Sequence, residues 1–215
     1  PRRAADGAGK ARAVGHLEEL GGAGVGEVGR NTAWWAEQFP AVLGDGAHWG
    51  LRLHYSYEGS EPLETGGGML HALSLLGQAT NAETPFLAVN GDIWTDYDLA
   101  RLPCELNGLA HLLMVENPDH NTRGDFALEK RDQSEISLRD VQSDPFSLVR
   151  PEGDNKLTFA GISLYRPSLL DGWPEIIGNA PGANDVPPRF KLMPLLRAAM
   201  ARGELRALVC TASLD

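Results

Sequence analysis

Basic residues are scarce in this chain: 19 lysines and arginines stand against 29 aspartates and glutamates, for a formal net charge of −10 over 215 residues. That balance repels nucleic-acid backbones and anionic membranes, so neither is expected as a partner. Cysteine is nearly absent. Cys104 and Cys210 form no CxxC pair and have no histidine-rich neighbourhood, which argues against a zinc site and for reduced thiols. The six histidines are scattered without HExxH or HxH spacing. No apolar run approaches the roughly 18 residues of a membrane helix. The basic stretch from Pro1 to Gly15 lacks the apolar segment of a secretory signal, so the cytoplasm is the expected location. There is no GxxxxGK[ST] phosphate loop, no GxGxxG fingerprint and no GxSxG elbow, which disfavours P-loop NTPases, dehydrogenases and α/β-hydrolases.

What is present suffices for a core, since 42% of residues are hydrophobic. The length fits one domain over residues 1–215. The first residue is Pro1 rather than Met, which points to a missing N-terminal portion, and with the family motifs considered below the domain is expected to be incomplete at both ends.

Residues 1–29 are rich in glycine and alanine and read as weakly structured, with His16 to Leu20 as the end of a helix. Ala33 to Leu43 reads as a helix closed by Gly44-Asp-Gly46. Leu51 to Tyr57 alternates as a strand, with Leu51, Leu53, Tyr55 and Tyr57 on one face. A turn at Gly66–Gly68 starts a helix carrying Met69, Leu70, Leu73 and Leu76 and stopping at Gly77. Pro85 to Val89 and Ala110 to Val115 are continuous apolar runs, the pattern of buried strands. A short helix over Asp98 to Leu102 is expected to be capped by Asp96. Glu129 to Asp154 loses its pattern among charges and reads as an exposed hairpin or insertion. Strand character resumes over Leu157 to Tyr165, Gly178 to Pro188 is a loop, Phe190 to Ala201 an amphipathic helix, and Leu205 to Val209 a last strand. Alternating strands and helices imply an α/β fold, a largely parallel mixed sheet with helices on both faces.

Asp92 directly follows a buried strand, where open α/β sheets bind ligands, and Gly91 before it permits close approach. A single carboxylate there suits Mg²⁺, which completes its shell with water and phosphate. The alternative is an Asn90-Gly-Asp turn with no function. Asp96 and Asp98 either extend that acidic cluster or cap a helix, and Trp94 covers the site or belongs to the core. Amides of Gly66, Gly67 and Gly68 at a helix start suit a phosphate or a base edge, although a glycine triplet is also an ordinary loop. Lys191 and Arg197 reach a phosphate or are simply solvated.

Taken in order, Asn31-Thr-Ala-Trp34, Glu61-Pro-Leu-Glu-Thr-Gly-Gly-Gly68, Val89-Asn-Gly-Asp-Ile-Trp-Thr-Asp-Tyr-Asp98, Arg123-Gly-Asp-Phe126, Leu157-Thr-Phe-Ala-Gly-Ile162 and Phe190-Lys-Leu192 resemble the bacterial sugar-1-phosphate nucleotidyltransferases. Within that family the resemblance is greatest to N-acetylmuramate-1-phosphate uridylyltransferases, then to mannose-1-phosphate guanylyltransferase-like sequences, which use GTP. It covers residues 30 to 200. It implies a Rossmann-like three-layer sandwich and Mg²⁺-dependent transfer of a nucleotidyl group, with UTP the expected donor, to a sugar 1-phosphate in cell-wall sugar recycling. Asp92 would hold the metal. Glu64, Thr65, Gly66, Gly67 and Asn90 would contact the nucleotide; Gly124, Asp125, Thr158, Gly161 and Lys191 would contact the sugar phosphate.

The family's opening LAAGxGxRxxPLT signature has no counterpart here. Its PKPL element aligns with Pro1-Arg-Arg-Ala4, which puts Arg2 at a phosphate-binding catalytic lysine position. Its WxDVGT element aligns with Ser213-Leu-Asp215, which makes Asp215 the second metal ligand. A non-catalytic nucleotide-sugar-binding relative and an inactive fragment are the alternatives, and a homo-oligomer is compatible with all three.

Overall fold

The structure is a computed structural model that describes residues 2–33, 36–76, 84–103, 105–129 and 146–210, with side chains described from Arg12 onward. Arg2 lies in a helix, but its side chain is outside that range. Asp215 and Cys104 also lie outside the described residues.

The chain opens with α1 (Arg2–Gly22), followed by β1 (Glu27–Thr32), α2 (Gln38–Leu43), β2 (Arg52–Tyr57) and α3 (Glu64–Leu75). Then come β3 (Phe86–Val89), β4 (Ala110–Val115), the pair β5 (Ala127–Leu128) and β6 (Ser147–Arg150), and the long strand β7 (Thr158–Tyr165). The last elements are α4 (Trp173–Ile177), α5 (Met193–Ala201) and β8 (Leu205–Val209). Six strands form one sheet in the order β3-β7-β4-β8-β6-β5, while β1 and β2 form a separate parallel pair.

Strand β4 is buried along its whole length and divides the two sides of the sheet. Ala110, Leu112 and Met114 face a core shared with Leu195, Leu196, Ala199 and Met200 of α5. Leu113 and Val115 face a second core shared with Ala13, Leu17 and Leu20 of α1. The result is helix, sheet and helix, the expected Rossmann-like mixed α/β arrangement. Each large α5 side chain removed from water contributes about 1.5–3 kcal/mol.

Several local expectations need correction. Residues 2–22 form one helix, not a weakly structured segment: Ala13, Leu17 and Leu20 fall on one face at i, i+4 and i+7, and their burial outweighs the helix-weakening effect of the glycines. The helix of α3 begins at Glu64 and takes Gly66–Gly68 inside it, so these glycines are not a turn preceding it. The short 3-10 turn at Leu99–Arg101 is capped by Asp98, whose Oδ1 accepts from the Ala100 amide at 3.0 Å, and not by Asp96. Along residues 51–57 the expected face holds for Leu51 and Leu53 but inverts at the end of β2, where Ser56 is buried and Tyr57 is 58% exposed.

Most of the segment expected as an exposed hairpin or insertion, residues 130–145, lies outside the described residues; on either side of it β5 pairs antiparallel with β6, Ala127 opposite Arg150, and Val149 within the expected segment is buried rather than exposed. β6 also pairs with β8, which buries Val149. The sheet is more antiparallel than the strand–helix alternation suggested, because β7 runs against both β3 and β4, whereas β4 and β8 are parallel. The helix near the C-terminus starts at Met193, so Lys191 precedes it and is exposed. The helix expected over 33–43 is described as Gln38–Leu43, and the Gly77 stop expected for α3 lies outside the described residues.

Candidate functional site

The carboxyl ends of β3 and β4 and the first half of β7 share one edge of the sheet, since Val89 pairs with Ile162 and Val115 with Thr158. Asn90-Gly-Asp92 leaves this edge after β3, and Glu116-Asn117 leaves it after β4. The carboxyl end of β8 is there too, with Val209 opposite Met114. Open α/β sheets place their ligands outside such strand ends.

The loop after β3 is held by its main chain. The Asn90 amide donates to the Gly161 carbonyl at 2.8 Å. Gly161 sits at φ 77°, and a Cβ there would come within 2.9 Å of Ile93 Cγ2 and 3.1 Å of Asn90 Nδ2. Only glycine lets the loop lie so close to β7. From α1, Arg12 Nη1 donates to the Asp92 carbonyl at 2.6 Å, and His16 Nε2 donates to the Ile93 carbonyl at 3.0 Å. Asp92 is thus anchored through its backbone while its exposed side chain points free of these bonds.

A few residues along β7 lies a network made of side chains. Thr158 Oγ1 donates to Asn117 Oδ1 at 2.9 Å and accepts from Asn121 Nδ2 at 3.2 Å. Asn121 Nδ2 also reaches Asp125 Oδ1 at 3.1 Å, and Asp125 Oδ2 accepts from the Phe159 amide at 2.9 Å. Asn117 Nδ2 donates to the Lys156 carbonyl at 2.8 Å. Gly124, at φ 63°, leaves no room for a Cβ between Lys156 O and Asn117 Oδ1. Gly124, Asp125 and Thr158, named from the sequence, are therefore gathered in one place. Asn117 and Asn121 were not named. Asn117 lies just past the end of a fully buried strand, and that position could have singled it out.

The glycine motif is joined to two distant segments. Both Gly66 and Gly67 donate their amides to the Phe190 carbonyl, at 3.0 and 3.1 Å. A Cβ on Gly66 would come within 2.5 Å of the Phe190 ring, which stacks on Trp173 at 4.8 Å, and one on Gly67 would strike the Pro188 carbonyl. These amides are occupied, so the glycines here serve close packing against the segment that leads to Lys191. Gly68 adjoins Asn31 Nδ2 and Glu58 Oε1, and Glu58 Oε2 accepts from the Leu63 amide at 3.1 Å. Glu64 and Thr65 are exposed at the start of α3, and Glu64 adopts φ 61°, a left-handed conformation that is costly for a side-chain-bearing residue.

Among the described residues no group of three or more His, Cys, Asp or Glu side chains forms a ready metal cage, and no helix is long and apolar enough to cross a membrane. Mg²⁺ needs less than such a cage: one or two carboxylates with water and phosphate complete its shell. The Asp92 side chain at the strand-end edge, unengaged among the described residues, fits that modest requirement.

In solved structures the fold recurs in a Bacillus anthracis protein assigned as a glucose-1-phosphate thymidylyltransferase, at TM-score 0.60 and 14% identity over 92% of this chain and 73% of that one. It recurs also in UDP-glucose pyrophosphorylase complexed with UDP-glucose, at TM-score 0.58 and 12% identity over 93% and 78%. No family model matches the chain. N-acetylmuramate alpha-1-phosphate uridylyltransferase of Neisseria meningitidis serogroup B is 41% identical over 181 residues, which are 80% of this chain and 69% of the relative. The chain belongs to the sugar-1-phosphate nucleotidyltransferase family.

Proposed function

We propose that this chain transfers UMP from UTP to N-acetylmuramate 1-phosphate, releasing pyrophosphate, in cytoplasmic recycling of cell-wall sugars. The observation that carries this reading is the exposed Asp92 carboxylate, fixed through its own main chain at the strand-end edge. The choice of substrate rests on the likeness to the meningococcal enzyme.

In this reaction a sugar phosphate oxygen attacks the α-phosphorus of UTP, and pyrophosphate departs as the bond between the α- and β-phosphates breaks. No enzyme nucleophile is required, so the residues act by positioning and by charge. Asp92 would hold Mg²⁺, with Asp215 as a second ligand. When bound, the ion supplies the positive charge that this acidic chain lacks toward two polyanions. Arg2 and Lys191 would face phosphate. Glu64, Thr65 and Asn90 would line the nucleotide, with Gly66 and Gly67 acting through the close packing of α3. Gly124, Asp125, Thr158 and Gly161 would line the sugar, where Asp125 and Thr158 are already aligned by Asn117 and Asn121.

Pyrophosphate release from UTP and N-acetylmuramate 1-phosphate, with and without Mg²⁺, tests the reading. Release that requires both the sugar phosphate and the metal is expected. Absence of release with this substrate pair, alongside release with another nucleotide and sugar phosphate, would overturn the substrate choice; no release with any pair would overturn the activity.

A further inference from the structure

A pocket of about 380 Å³ opens beside the Asp125 network, and Asp125, Phe126, Glu152, Lys156, Phe159, Met193 and Arg197 are among the residues that line it. Its volume falls within the range of small-molecule sites. Phe126, Phe159 and Met193 give it apolar walls. Met193 and Arg197 are four residues apart on α5 and so share the helix face turned toward it.

Of the charged groups at the pocket, all but one are committed. Asp125 accepts from Asn121 and from the Phe159 amide. Lys156 Nζ bonds Glu152 Oε2 at 2.9 Å. That bond and the Lys156 charge, with a smaller contribution from Arg197, hold the Glu152 carboxyl below its ordinary range. Among the described residues no hydrogen bond or ion pair engages the exposed Arg197 guanidinium. A guanidinium with unused donors above an apolar wall suits a carboxylate, which it can grip at two oxygens.

We propose that Arg197 is a specificity residue that binds a carboxylate carried by the sugar, while the pocket's apolar walls receive the arm bearing it. This rests on the reading that the substrate is a muramate. N-acetylmuramate differs from N-acetylglucosamine by a lactyl ether whose carboxylate is the added charge and whose methyl is the added apolar group. The Asp125 network borders the pocket, so a sugar lying against Asp125 would extend such an arm toward α5. The anion read by Arg197 has two possible sources, the sugar's carboxylate or its 1-phosphate, and the proposal commits to the carboxylate.

Calorimetric titration with N-acetylmuramate 1-phosphate and N-acetylglucosamine 1-phosphate, in the presence of UTP and absence of Mg²⁺, separates them. The wild-type chain is expected to prefer the muramate by about tenfold, the worth of one charge-assisted bond. Arg197→Gln should bring that ratio close to one, and Arg197→Lys should recover part of it, because lysine keeps the charge without the fork. Arg197 is exposed, so the thermal transition of both variants should match the wild type. Equal weakening of both ligands by Arg197→Gln would show that the residue reads the phosphate and would overturn the proposal. So would a wild-type chain without preference, or one that binds neither sugar. Failure of the uridylylation reading looks different: the muramate preference persists while no pyrophosphate is released.

Discussion

The loop after β3 is held through main-chain groups, whereas the network beside Asp125 is held through side chains. At the loop, Gly161 clears space, the Asn90 amide meets a carbonyl, and Arg12 and His16 grip the carbonyls of Asp92 and Ile93. At the network, Asn117, Asn121, Asp125 and Thr158 satisfy one another across segments up to 41 residues apart. The first arrangement leaves the Asp92 side chain free for a ligand. The second spends its side-chain bonding on alignment, so what it offers a ligand is a shaped, polar wall. Substitutions should therefore act by crowding at the loop and by leaving polar groups unpaired at the network.

The largest expected effect is at Gly161. Alanine there meets Ile93 and Asn90 and must adopt φ 77°, for a combined loss of about 2–4 kcal/mol in chemical denaturation. A loss under about 0.5 kcal/mol would mean that the loop is not packed on β7 as described. Next comes Thr158→Val, which keeps the buried shape but removes the hydroxyl that donates to Asn117 Oδ1 and accepts one of the two bonds of Asn121 Nδ2. It should cost about 1–3 kcal/mol, and Thr158→Ser, which keeps the hydroxyl, should cost less. Equal losses in the two variants would assign the effect to packing and erase the contrast between loop and network. A smaller stability effect, about 1 kcal/mol, is expected of Arg12→Ala. Its main consequence should be a lower kcat with the thermal transition little changed, because it loosens the carbonyl anchor of Asp92.

The smallest effect near neutral pH belongs to Tyr165. Burial pushes its phenol up to about 12 from an ordinary 10, a shift opposed in part by its hydrogen bond with Ser163. A folded-state value above the unfolded one stabilises the fold fully below about pH 10 and loses that contribution as pH rises toward 12. Tyr165→Phe should therefore flatten the alkaline limb of a stability–pH curve and leave the neutral region nearly level. An unchanged alkaline limb would show that other groups govern it.

How much of this was legible in the sequence differs in the same way between regions. Buried runs such as Ala110 to Val115 announced their strands, and the placement of Asn90-Gly-Asp92 after one of them located the loop. The glycines of 66–68 were legible as a motif but not in role. What Gly66 and Gly67 clear space for is Phe190 and Pro188, more than 120 residues away, and no local pattern encodes that contact. Helix α1 was hidden because its glycines and alanines carry little amphipathic signal, and the burial of Ala13, Leu17 and Leu20 depends on a sheet formed later in the chain. Strand direction was misjudged for a similar reason: β7 pairs antiparallel with β3 and β4 through long-range hydrogen bonds, and a strand's apolar pattern is the same in either direction. The network was half legible, since Gly124, Asp125 and Thr158 stood in motifs while Asn117 and Asn121 join them only through the fold.

The central claim is that Asp92 serves the reaction with its side chain while its backbone holds the loop. The direct measurement compares Asp92→Ala with the wild type in Mg²⁺-dependent pyrophosphate release from UTP and N-acetylmuramate 1-phosphate, with thermal unfolding recorded on both. A variant that unfolds like the wild type and loses at least about a thousandfold in turnover is the predicted result, the order seen when a principal transition-state charge contact is removed. A variant that unfolds like the wild type and turns over at a comparable rate would contradict the claim.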